Sequence, residues 1–176
     1  MIGPRLQIAG RSWRLFHLCG LAGFCAALAQ SLALASHARL EVPLIFALLA
    51  CSVVVMIVLG IASKIVAGRD VLVYYHNEIA VLLASAALLR VIGRPVATYL
   101  DVVAVGLGSF LAFGRLGCLV TGCCHGRIHQ HGVRYGAAHV RNGFPQCYAH
   151  VAVLPVQAIE SAAAAAISAA GIVMFW

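Results

Sequence analysis

Charge is what this chain has least of. Only 10% of its 176 residues are charged, five of them acidic, and Lys64 is its one lysine. A soluble domain carries about 25% charged residues, so a water-soluble globular fold is excluded. The hydrophobic share is 63% and the mean hydropathy +1.00, as in an integral membrane protein. The net charge of +7 comes from arginine. No clustered basic face accompanies it, which excludes a nucleic-acid partner. In a membrane protein such an excess serves lipid headgroups or orientation. Cysteine occurs seven times, an odd number with no C-x-x-C pair, so no disulfide framework is read. Cys19, Cys25 and Cys51 lie inside apolar runs as small hydrophobes. There is no internal repeat and no linker, so residues 1–176 read as a single membrane domain.

What is there is apolar length. Taking about 20 apolar residues per span, the chain reads as an all-α bundle of about five transmembrane helices: residues 15–35, 42–66, 71–92, 98–124 and 154–176. A basic head with Arg5, Arg11 and Arg14 precedes the first, whose apolar stretch exceeds a signal-peptide core and reads as an uncleaved helix. Pro43 opens the second span, a position where proline is favoured. Between spans four and five, residues 125–153 form one long polar loop rich in His, Arg and Gly, with a short strand or hairpin around Gly132–Tyr135. Loops of that length are uncommon unless functional or disordered. Arg and Lys number five in the N-terminal head and the 63–70 loop, against three in the 36–41 and 90–97 loops, which leans towards a cytoplasmic N-terminus.

Residues 114–127, GRLGCLVTGCCHGR, are the densest chemistry in the chain. Arg115 stands well inside span four, where an arginine costs about 2.5–3.5 kcal/mol on insertion scales and marks a functional site by default. It reads either as half of an ion pair with Glu78 or Asp101 or as a clamp for phosphate oxygens, with Arg127 and Arg134 following in the loop. Gly114, Gly117 and Gly126 let backbone or a headgroup approach closely. His76 is either part of an interfacial belt with Tyr74 and Tyr75 or a proton acceptor. Gln157 and Glu160, at i and i+3, share a face at the mouth of span five. They read as a solvated helix start or as the partners of an arginine. Cys123, Cys124, His125, His129 and His131 invite a metal or redox reading. The spacing is not that of a zinc motif, so the favoured role is a tight helix-to-loop turn, with no metal or cofactor.

These residues resemble a known family. His76, R-x3-RP at Arg90–Pro95, LDVVA at Leu100–Ala104, GRLGC-x4-GCCHGR at Gly114–Arg127, GVRY at Gly132–Tyr135 and PVQAIE at Pro155–Glu160 occur in the order and approximate spacing of the bacterial prolipoprotein diacylglyceryl transferases. The resemblance covers roughly residues 70–165. It implies a multi-pass enzyme of the inner membrane acting at the periplasmic face. Such an enzyme moves the diacylglyceryl group of phosphatidylglycerol to the lipobox cysteine of a preprolipoprotein and releases glycerol phosphate. His76, Arg115 and Arg127 are then the catalytic candidates. Gly114, Gly117, Gly126, Arg134, Tyr135, Gln157 and Glu160 would bind substrate. The departures are Asn77 and Glu78 after the histidine, Cys118 for an asparagine and Cys123 for an acidic residue. The resemblance also puts the exit of span four outside the cytoplasm, against the charge count, and is followed here. Two other readings stand beside it: a non-catalytic holder of an anionic lipid or partner, and a Cys/His metal- or thiol-based membrane protein.

Overall fold

The computed structural model describes residues 3–8, 10–68 and 74–176. Among these residues six α-helices and four short strands follow in the order β1 (Arg5–Ile8), β2 (Arg11–Arg14), α1 (Leu15–His37), α2 (Val42–Ala67), α3 (Tyr74–Val91), α4 (Val96–Thr121), β3 (Ile128–Arg134), α5 (Ala137–Val140), β4 (Ala152–Val153) and α6 (Val156–Phe175). Among the described residues, α1, α2, α4 and α6 are long and apolar enough to cross a membrane. The protein is therefore a mostly helical, multi-pass membrane protein. Val71, where the third span is expected to begin, lies outside the described residues.

Helix ends follow local chemistry. Pro43 sits in the first turn of α2, and Gly68, at φ +64, closes it by donating its N–H to Lys64 O. The fourth helix starts directly after Pro95, and the sixth directly after Pro155. One expected boundary moves. The fourth span stops at Thr121, three residues short of Cys124, because Gly122 adopts φ +84. The basic head forms an antiparallel hairpin, with Leu6 opposite Trp13, before an otherwise mostly helical chain.

Two compact units are present. One comprises residues 29–107 and 171–176. Its core joins Leu34, Ala35, Leu44, Ile45, Leu48, Leu89, Tyr99 and Val102. Tyr99 Oη accepts the Glu41 N–H at 3.1 Å, and Arg94 pairs with Glu41 at 2.7 Å. That pair is about half exposed, where such contacts contribute little. The outward face of α2 carries Val53, Val54, Ile57, Val58, Ile61 and Ile65, an apolar surface suited to hydrocarbon.

The other unit comprises residues 1–28 and 108–170. Here α1 and the C-terminal half of α4 come together through small residues: a Cβ on Gly117 would sit 3.1 Å from Phe16, and one on Gly23 2.7 Å from Phe113. One stripe of α6, with Gln157, Ser161 and Ser168 as its polar members and Ala164 between them, is buried. Ser161 Oγ donates to Ala112 O at 2.8 Å, and the hydroxyls of Ser168 and Ser109 lie 3.0 Å apart. Side-chain bonds to neighbouring helices are the usual use of serine where water is absent.

Candidate functional site

Four pieces of this second unit converge at the end of α4. The helix carries Gly114, Arg115, Gly117 and Cys118, all buried. Thr121 Oγ1 folds back onto Gly117 O at 2.9 Å, and the chain then turns through Gly122. A Cβ on Gly122 would meet Phe144 at 3.1 Å and Tyr135 at 3.2 Å, so the glycine serves both the turn and the packing. Cys124, at φ +53, is also left-handed, an uncommon state for a side-chain-bearing residue and one that gathers at functional sites.

The segment after the turn is tied to the approach to α6. Gly126 N–H donates to Leu154 O at 3.1 Å and Leu154 N–H to Arg127 O at 2.8 Å. A side chain on Gly126 would overlap Val156 and Leu154. Beyond it β3 pairs antiparallel with β4, Arg134 opposite Ala152, with a bulge between Ile128 and Val133. Tyr135, wholly buried, donates its hydroxyl to Leu119 O at 2.9 Å and packs against Phe144 and His139. Burial raises the phenol of Tyr135 and lowers the imidazole of His139 from their ordinary values.

Two side chains of α6 complete the arrangement. Gln157 is wholly buried and donates Nε2 to Cys123 O at 2.6 Å, pinning the turn. Glu160 reaches Arg115, with Oε2 2.8 Å from Nε. Arg115 is 8% exposed, so its charge is held largely away from solvent and opposite a carboxylate. The pairing the sequence allowed for Glu160 is thus present, and Arg115 is oriented by α6. A carboxylate-held guanidinium is a rigid fork of the shape that phosphate oxygens accept.

Among the sequence candidates, Gly114, Arg115, Gly117, Gly126, Tyr135, Gln157 and Glu160 lie together in this unit. Arg127 and Arg134 are also there, but exposed, and both enter the contacts above through their main chains. His76 is exposed on α3, which belongs to the other unit.

Sequence reasoning passed over the sulfurs. The thiols of Cys118, Cys123 and Cys124 lie within 4.8 Å of one another. A hydrogen bond from the Cys118 thiol pulls Cys123 down to about 6, whereas burial, followed by its neighbour Cys123, pushes Cys124 up. Adjacent cysteines in a regular helix point apart, so only the left-handed residues at 122 and 124 reveal the convergence, and neither conformation is legible from residue type at 124. A cavity of about 470 Å³ opens beside them, lined by Arg14, His17, Cys123, Cys124, His125 and Phe144 among others.

No curated protein and no solved structure matches this chain. A family model does: that of the prolipoprotein diacylglyceryl transferases, over residues 6–176. With the match spanning almost the whole chain, this protein belongs to the prolipoprotein diacylglyceryl transferase family.

Proposed function

We propose that this protein transfers the diacylglyceryl group of phosphatidylglycerol to the lipobox cysteine of a prolipoprotein. The transfer takes place at the exit of α4, on the periplasmic side of the bacterial inner membrane, with α3 serving as a fifth span of a single membrane domain. The observation that carries the reading is the buried Arg115 fixed by Glu160 inside a segment of this family. Arg115 and Arg127 bind the phosphate, and Glu160 and Gln157 hold the clamp and the turn. Gly114, Gly117 and Gly126 permit the close packing that holds the clamp, Tyr135 braces the turn from beneath, and Arg134 borders the headgroup. The acceptor thiolate attacks the glyceryl carbon that bears the phosphate. A sulfur–carbon bond forms as the carbon–oxygen bond breaks, and glycerol phosphate leaves with its charge met by the guanidinium groups. The acceptor thiol gives up its proton to water before the attack, since the thiolate is the nucleophile.

The test is thioether formation from phosphatidylglycerol and a lipobox peptide by the purified chain. Product is expected, and Arg115→Ala should slow it by about 10²–10³, the usual effect of removing a donor from developing charge. Replacing phosphatidylglycerol by a zwitterionic lipid should abolish it. Lipid binding with no thioether from the unaltered chain would refute the enzyme and leave a holder of anionic lipid.

A further inference from the structure

The three thiols at the end of α4 play no part in the transfer as described, yet their placement is specific. Cys118 is the last buried side chain on the face of α4 that carries Arg115, three residues earlier and therefore adjacent on the helix surface. Cys123 and Cys124 belong to the turn that follows, and both line the cavity. The three sulfurs already lie within 4.8 Å of one another. Three thiolates around a tetrahedral zinc ion, with bonds of about 2.3 Å, stand about 3.8 Å apart. The site therefore needs each sulfur to close by at most about an ångström, a change within reach of side-chain rotation at the two exposed cysteines.

The surroundings fit a metal centre as well. Gln157 holds the carbonyl of Cys123, fixing the main chain that carries two of the sulfurs, as outer groups do around bound ions. Left-handed backbone at Gly122 and Cys124 brings neighbouring cysteines to one side, which a helical continuation would forbid. With three protein ligands the coordination of such an ion is incomplete, the condition of catalytic zinc sites. Soft sulfur ligands select zinc-class ions over magnesium or calcium.

We propose that Cys118, Cys123 and Cys124 bind one zinc-class divalent cation, and that its fourth position, facing the cavity, takes the acceptor thiol. The ion's oxidation state does not change. The three protein thiols and the acceptor each release a proton on binding, since a coordinating thiol is deprotonated outright. The bound acceptor sulfur then forms its bond to the glyceryl carbon while the phosphate-bearing oxygen departs with the bonding pair. The acceptor's part in this rests on the transfer activity proposed above; the binding of the ion does not.

The full chain, purified in detergent, reduced and stripped of metal, is titrated with cobalt(II) and then with zinc. One cobalt per chain is expected, with sulfur-to-metal charge-transfer bands and tetrahedral visible bands, displaced by zinc. Cys123→Ser and Cys124→Ser should each weaken binding by more than about a hundredfold, beyond the roughly 10–100-fold of an outer-group change. Cys147→Ser and Cys25→Ser should leave it unaltered. Because Cys118 is buried and its replacement can disturb folding, the two exposed cysteines carry the test. Adding a lipobox peptide should shift the visible bands, and its serine counterpart should not. Binding below one ion per chain, binding that survives both serine variants, or uptake of copper(I) with refusal of cobalt and zinc would overturn the site. Bands indifferent to the peptide would overturn the acceptor's place in it. A peptide-dependent shift in a chain that forms no thioether supports the site and sinks only the transfer reading.

Discussion

Removing Glu160 should damage this protein through Arg115. The two groups meet at 2.8 Å, with the Arg115 side chain 10% and the Glu160 side chain 31% exposed. Two unit charges at that distance attract by about 1.5 kcal/mol in water and by about 6 kcal/mol at an effective dielectric of about 20. Partial exposure of Glu160 places the pair between these limits, and breaking a buried pair by deleting one partner costs about 3–5 kcal/mol because the other charge is left uncompensated. An intermediate loss of about 2–4 kcal/mol is therefore expected for Glu160→Leu. Replacing both residues by apolar ones of similar volume, Arg115→Met with Glu160→Leu, removes the orphan charge and should recover most of that loss. The assay is a double-mutant cycle on reversible unfolding in detergent, with Glu160→Gln as the isosteric control. In lipid binding the double variant should nevertheless stay as weak as Arg115→Met alone. A coupling below about 0.5 kcal/mol would refute the view that Glu160 holds the arginine in place.

Two further outcomes follow from the polar segment between α4 and α6. Gly132→Ala would drive a Cβ into the Val153 main chain, so the β3–β4 pairing should loosen at a cost of about 1–3 kcal/mol, read as faster amide exchange over residues 128–153, whereas Gly60→Ala, with open space around it, should be neutral or mildly stabilising. Burial lowers the folded-state value of His139, so below about pH 6.5 the unfolded chain binds a proton that the folded chain resists. Stability should accordingly fall as pH drops from about 6.5 through the lowered value, and His139→Leu should flatten that part of the profile relative to the unaltered protein; equal slopes would show that His139 is not the group responsible.

Several features were legible because they depend on chain-local quantities. The apolar runs of α1, α2, α4 and α6 announce themselves by length alone, and Pro43 opens α2 with its fixed φ. Arg115 stood out because a guanidinium amid apolar residues is costly wherever it points. Glu160 and Gln157 were readable as polar groups opening a helix, and the pairing of Glu160 with an arginine as one of two possibilities. The stop of α4 at Thr121 was misplaced by three residues, because the run of small and apolar residues continues past the point where Gly122 leaves the helix. The basic head hid its hairpin for a related reason: three arginines and an exposed tryptophan carry no clear alternation.

What the sequence by itself determined is a membrane protein with a costly arginine at the end of its fourth apolar helix, since burial cost and span length are properties of residue type and count. Tertiary structure decided which carboxylate meets that arginine, and that Gln157 braces the turn from a helix 34 residues away in the chain. It also decided that three thiols share one small volume. Those outcomes depend on backbone angles at Gly122 and Cys124 and on the packing of α6 beside α4. No spacing rule encodes them, because each arises from contacts between segments whose separation is set only once the helices are in place.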